Sequence, residues 1–453
     1  MQATSLHQAA FENLPFDFTP AGRLRIQAAF DEPDMSSDGG ALLIREVAGA
    51  NGIVDAMASV IRDDRFAPMV DHPVRDLIMQ RMVQICHGYE DANDCDKLKD
   101  DLALKVAVGR LTGKTSLASQ PTMTRFENNV TKRDLIRLFY AFIENFLNSY
   151  PSAPPCMIID MDPTTNRVYG AQQLALFNAH YDEYCLMPFH VYEGMTGKLI
   201  ATLLRPGKTP TKDEIIGLLK RIVKKIRLRF PKVPLIFRAD SHHTKPEVLD
   251  WLEANHVHYV LGMATNQVLV REVQPLIDRA TAHYKNDWKT FRGFHSFSYA
   301  AGTWDQKRRI IARVEATTMG TDSRFIVTDL EQAGAKMLYE TVYCGRGNAE
   351  LMIKEHKCFL KSSRTSCTSA LANQFRLFLH SAAYVIMHSF RSTVLKGTEL
   401  AKATFETIRL RLLKVAARVE FGKTFIRFHL PAASPAAPLF RRTAELAAAL
   451  RGT

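Results

Sequence analysis

The sequence predicts an α/β protein: a mixed sheet flanked by helices, with a mainly helical segment before it and a β-rich insertion within it. Three observations lead there. Helical apolar periods dominate the first 150 residues, and prolines at Pro151, Pro154 and Pro155 then break the chain. Beyond them short apolar runs alternate with helical periods, the order expected of a sheet with crossover helices.

Taken in order, residues 1–35 read as an irregular arm with a short strand near Arg23–Phe30. Gly39 and Gly40 precede an apolar helix over 41–48, and residues 74–88 and 98–108 read as further helices. Pro121 suits the first turn of a short helix ending near Asn129. Residues 132–150 form a long amphipathic helix, with Thr131 placed to cap it and Asp134 in its first turn. After the prolines, 157–162, 186–192 and 198–204 read as strands, with Gly194 and Gly197 in the last turn. Residues 212–230 are a helix with Ile215, Leu219, Ile222 and Ile226 inward, 234–240 a strand ending on Asp240, 246–254 a helix and 258–263 a strand. Strand, strand, strand, helix, strand, helix, strand is the order of a ribonuclease-H-like core.

Residues 266–340 then read as an α/β insertion, with a helix and strands near 294–300, 309–316 and 324–329. Helices over 371–395 and 402–419, a strand near 425–430 and an alanine- and proline-rich tail over 431–453 complete the chain. The expected units are thus 1–150, 151–265 (first part of the core), 266–340 (insertion), 341–430 (second part of the core) and the tail.

The 453 residues are too many for one small core, and 46% hydrophobic content is enough to build large ones. A net charge of +12 favours a polyanionic partner. None of the seven cysteines has CxxC spacing, which argues against a zinc ribbon or a secreted disulfide scaffold and for reduced thiols in the cytoplasm. The N-terminus lacks the basic start and apolar run of a signal peptide. The most apolar stretch, Phe375 to Phe390, is interrupted by Arg376, His380 and His388 and is shorter than the ~20 residues a bilayer needs, so it reads as a buried core helix.

One helical segment carries unusual chemistry. Tyr343, Arg346, Glu350 and Lys357 fall within about 60° of one another on an ideal helix. A carboxylate among phosphate-binding cations suggests a metal site acting on a nucleic-acid backbone. Glu350 with Lys354 also satisfies the spacing of an ordinary surface ion pair. Two further carboxylates end strands, Asp162 and Asp240, and the sheet order would set them side by side. Asp160 shares a sheet face with Asp162 and competes for the first position. Carboxylates gathered this way repel unless cations join them, and Mg²⁺, with its preference for oxygen, suits such a set.

Tyr, two residues, Arg, three residues, Glu, six residues, Lys is also the signature around the third acidic residue of bacterial insertion-sequence transposases of the DDE class. The chain resembles their transposase DDE-domain group 1 family at GYEDAND (88–94), SQPTMTRFEN (119–128), QQLALFN (172–178), RADS (238–241) and ANQFRL (372–377). It departs from the family at Pro163, around Asn166 and at His242 and His243. The resemblance implies catalytic, metal-holding roles for Asp162 (whose Thr164 matches the family pattern), Asp240 and Glu350, with two Mg²⁺ ions for which Mn²⁺ can substitute. It implies DNA contacts from Tyr343, Arg346, Lys357 and Lys354, and a DNA-binding helical unit at 1–150. Trp304 reads either as a packed β residue or as a base-stacking residue of the insertion. The implied activity is metal-dependent cleavage and strand transfer at inverted-repeat ends, by cut and paste, in a homodimer or higher multimer on double-stranded DNA in the bacterial nucleoid. The alternatives are a structure-selective nuclease without strand transfer and an inactive DNA binder.

Overall fold

The computed structural model describes residues 14–111 and 115–450; thirteen residues of the expected arm and the last three of the tail lie outside it. The described arm is a hairpin rather than a lone strand, β1 (Phe16–Ala21) paired antiparallel with β2 (Leu24–Ala28), and a short strand β3 (Met35–Ser36) follows. Helices Ala41–Asn51, Ile53–Val60, Val74–Cys86, Leu102–Val108, Gln120–Asn128 and Lys132–Asn148 build most of the rest of the first 150 residues. The last of these opens with a capping box: the Thr131 hydroxyl accepts from the Asp134 N–H, and the Asp134 carboxylate accepts from the Thr131 N–H.

The strands that follow are β4 (Met157–Pro163), β5 (Asn166–Arg167), β6 (Leu176–Asn178), β7 (Glu183–Leu186), β8 (Phe189–Glu193), β9 (Leu199–Leu203), β10 (Leu235–Ala239), β11 (His258–Met263), β12 (Phe291–Tyr299), β13 (Arg308–Thr317) and β14 (Gly320–Thr328). Eight of them form one sheet in the order β12-β13-β14-β11-β10-β4-β8-β9. Within it β4, β10 and β11 run parallel, while β8 is antiparallel to both β4 and β9. The first strand thus lies between the second and the fourth, the ribonuclease-H-like arrangement that the element order implied. Helix Lys212–Arg229 makes the crossover from β9 to β10, with Ile215, Leu219, Ile222 and Ile226 buried.

The insertion strands do not stand apart. β14 pairs antiparallel with β11, and β13 and β12 add beyond it. They cover the edge that β11 would otherwise present to solvent. The sequence reading passed over β5, β6 and β7, which form a small separate sheet in the order β5-β7-β6.

Two further expectations are corrected. The helix expected over 402–419 ends by residue 413, and Ala417–Phe421 is a strand, β15, paired with β16 (Ile426–His429) and with β3. Ala417 and Val419 are buried while Arg418 is exposed, a strand's alternation rather than a helix's period. The tail contains a helix, Ala437–Ala449, with Pro438 in its first turn. Alanine is the strongest helix former, and proline is tolerated there because its missing N–H has no partner to lose.

The apolar core is continuous from Ala41 to Ala447, across the proline break. Its axis is helix Ala370–Ser389, buried on nearly all sides. Phe378 stacks on Phe142 at 5.3 Å, and Phe375 meets Phe126 edge-on at 5.1 Å. No helix among the described residues is long and apolar enough to cross a membrane.

Candidate active site

Register sets the first two carboxylates. β10 pairs in parallel with β4, with Arg238 opposite Asp160. Carried on by two residues, that register puts Asp240 level with Asp162 on a neighbouring strand, at the usual inter-strand spacing of about 4.8 Å. Asp240 caps the short turn Ser241–His243: its carboxylate accepts from the His242 N–H at 3.0 Å, from His242 Nδ1 at 2.8 Å and from His243 Nδ1 at 2.8 Å.

The third carboxylate arrives on an irregular helix. Residues 338–343 and 355–359 are wound as π-helix, 344–346 as a tight 3₁₀ turn, and only Gly347–Lys354 is α-helical. Arg346 donates to Asp162 Oδ2 at 3.1 Å and to Glu350 Oε1 at 2.7 Å, so one guanidinium bridges two of the three acids. Glu350 therefore pairs with Arg346, not with Lys354, which is exposed. The wider winding beyond residue 354 breaks the stripe expected from uniform α-helical spacing. Lys357 turns away to the Thr165 carbonyl and hydroxyl, at the foot of the loop after β4.

Tyr343 packs against β11. A Cβ on Gly262 would lie 2.5 Å from the Tyr343 hydroxyl and 3.0 Å from the Ser241 nitrogen, so glycine alone lets the ring settle beside Asp240. Trp304 is placed elsewhere, on the β12–β13 turn. It stands edge-on to Tyr299 with the Arg308 guanidinium 5.2 Å from its ring centre. Arg308 is in turn held by Asp250 and Glu253.

Asp160 is spent on a different task. Arg238 grips it with two hydrogen bonds of 2.6 Å, both side chains being buried, and donates a third to the Val342 carbonyl. The pair fits because Gly194 and Gly345 leave room: a Cβ on either would come within 2.6 Å of Arg238. Sequence reasoning missed Arg238, although its place two residues before Asp240, matching Asp160 two before Asp162, was the available signal. The pair ties the Glu350 helix to the centre of the sheet.

The electrostatics reflect the crowding. Burial, with further help from the charges of Asp240, Glu350 and Asp160, raises the Asp162 carboxyl to about 7 in spite of Arg346. Burial also pushes Asp240 up, but the hydrogen bonds and charges of His243 and His242 outweigh it and hold Asp240 well below the usual carboxylate range. Asp162 is thus a carboxylate short of cations. An all-oxygen set of Asp162, Asp240 and Glu350 fits a hard divalent ion chemically. As arranged, with Arg346 between Asp162 and Glu350 and two histidines on Asp240, no three acidic, histidine or cysteine side chains among the described residues close into a metal cage.

Beside the acids opens a cleft of ≈710 Å³, bounded by Ser241, Gly262, Tyr343, Arg346 and Glu350. Arg313 and Arg324, a directly paired position on β13 and β14 that sequence reasoning also missed, line the same cleft. Asp322 contacts both.

The sequence model of a family described as "Transposase DDE domain group 1" matches residues 18–451. No curated protein sequence matches the chain. Among solved structures, a cryo-EM structure of a piggyBac transposase synaptic complex with hairpin DNA aligns over 81% of this chain and 80% of its own, at 10% identity and a TM-score of 0.43.

Proposed function

Because the chain belongs to the transposase DDE domain group 1 family, we propose that it binds the inverted-repeat ends of a bacterial insertion sequence and cuts and rejoins DNA at Asp162, Asp240 and Glu350. The observation that carries this reading is the meeting of Asp162 and Glu350 on one guanidinium, with Asp240 close enough to raise the Asp162 carboxyl. These three residues would hold a pair of Mg²⁺ ions (Mn²⁺ as a substitute), which would supply activation of the attacking oxygen and charge stabilisation of the leaving one.

The rest falls to the chain's own side chains. Arg346, freed from its two carboxylates, offers a planar fork to a phosphate. Tyr343 walls the cleft, and Arg313 and Arg324 line it, ion-paired with Glu315 and Asp322. Lys354, exposed on the Glu350 helix, reaches the same strand as a point charge. Lys357 fixes the loop beyond β4 through Thr165. Cleavage and joining are both in-line attacks at phosphorus, so one site serves both in a cut-and-paste reaction, with a homodimer or larger multimer bridging two ends.

Glu350→Gln is the direct test. It should abolish cleavage of an end-bearing duplex and leave binding of that duplex within about tenfold, since one neutralised surface carboxylate removes no phosphate contact. Cleavage that survives the substitution would overturn the assignment. Transfer of pre-cut ends into a target plasmid separates this activity from that of a nuclease.

A further inference from the structure

We infer that the small sheet β5-β7-β6 is a stacking platform for unpaired nucleotides beside the acidic site; this rests on the nucleic-acid reading above. β5 and β7 prolong the β4–β8 hairpin without a change of register, since Asp162 faces His190 and Asn166 faces Leu186. Four residues of extended chain, at most about 13 Å, separate Asp162 from the platform's first strand. β6 then folds back along β7 and sets Phe177 opposite Tyr184, with ring centres 5.5 Å apart. Tyr169 lies just past β5 with the Arg167 guanidinium 5.1 Å from its ring centre. His180 and Tyr181 meet edge to face at 4.7 Å on the β6–β7 turn.

These rings face solvent. Tyr169 is 85% exposed, Phe177 53%, Tyr181 46% and Tyr184 59%. An aromatic surface so concentrated marks a place where something binds. Its underside is fixed: Val168 and Leu186 pack with Leu377 of the central helix, and the Gln173 N–H donates to the Thr368 carbonyl. The rings are therefore presented by an anchored sheet. Burial, then the charges of Asp162, Cys185 and Asp240, raise the Tyr181 hydroxyl above its ordinary pKa, which sets it within electrostatic reach of the acid pair.

The chemistry selects the occupant. Cations stand at the platform's margin: Arg167 on β5, ion-paired at 3.5 Å with Glu183 of β7, Lys357 at its root through Thr165, and the exposed Lys361 next to Ser362, whose carbonyl accepts from Asn166 Nδ2 at 3.5 Å. Open ring faces beside cations match a strand that offers bases and phosphates together. Bases paired in a duplex show only their edges in the grooves, so outward-facing rings recognise bases that have left the stack.

The test uses the full-length protein in a chelator with two DNA probes. One is a fully paired duplex; the other is the same duplex interrupted by a short unpaired tract carrying 2-aminopurine. The wild type is expected to prefer the interrupted duplex and to quench its fluorescence. Tyr181→Ala and the double variant Phe177→Ala/Tyr184→Ala should each lose about tenfold or more of that preference, and Tyr184→Trp should keep it. Variants that retain both preference and quenching would overturn the platform, as would a wild type that binds both probes equally. A wild type that binds neither probe refutes the nucleic-acid reading and the platform with it. A change in sedimentation on substitution, with DNA preference intact, would hand the rings to a second copy of the chain and refute the inference.

Discussion

Replacing Asp162 by asparagine should make the metal-free protein more stable while removing its activity. Asp162 ionises near pH 7 in the folded chain against an ordinary value of 3.8, because it is buried among like charges. At about 1.4 kcal/mol per pH unit, holding it ionised costs the folded state about 4 kcal/mol once the pH is above both values. The sign follows from proton uptake. Between the two values the folded chain binds more proton than the unfolded one, so this stability is present at low pH and is lost as the pH rises through 7. An asparagine amide in its place carries no charge to lose, and Arg346 keeps Glu350 as a partner. Urea unfolding in a chelator should therefore show Asp162→Asn more stable than the wild type by about 2–4 kcal/mol near pH 8, with the gap closing near pH 4. Adding Mg²⁺ should narrow the gap near pH 8 by up to about 2.7 kcal/mol at a hundred times its Kd, since the variant lacks one ligand group. A variant no more stable than the wild type near pH 8, or one with the same gain at both pH values, would refute the account of a carboxylate short of cations.

Other consequences concern the frame of the site. Arg238→Met strands the buried Asp160 carboxylate and should cost about 3–5 kcal/mol in chemical denaturation, most of it recovered in Arg238→Met/Asp160→Leu. Gly262→Ala drives a methyl into the Tyr343 hydroxyl and the Ser241 backbone; it should lower cleavage and cost about 1–3 kcal/mol, partly restored by adding Tyr343→Phe, as thermal melts and cleavage rates would show. Burial holds His190 and His380 down to about 3 and His87 and His388 down to about 4. The unfolded chain takes up these protons from about pH 6.5 downward, so each histidine should cost about 2 kcal/mol by about pH 5. A urea midpoint that stays level between about pH 7 and pH 5 in the Asp162→Asn background, where the opposing carboxylate is absent, would contradict this.

Elements were legible where one local rule decided them. Helices Lys132–Asn148 and Lys212–Arg229 carry apolar periods and capping boxes, and both form as read. β4, β10 and β11 are short apolar runs bounded by turn residues, and the element order gave their arrangement. The tail helix and β15 were misread because alanine content and apolar spacing serve more than one structure until neighbours choose.

What the chain determined unaided was its inventory of chemistry: Asp162, Asp240 and Glu350, with Arg346 four residues before the last. Spacing along a helix or the end of a strand is a local property, and local rules reach that far. Which acid is free and which is occupied was decided only by packing. In the sequence Asp160 and Asp162 share a sheet face and only the family match at Thr164 favours Asp162, whereas the register of β10 brings Arg238 onto the first and leaves the second to Arg346. The π turns sent Lys357 to Thr165, and the sheet set Arg313 and Arg324 in one cleft with Glu350. Each of these outcomes joins residues far apart in the chain. A charge's partner is fixed by position in three dimensions, which only the assembled fold supplies.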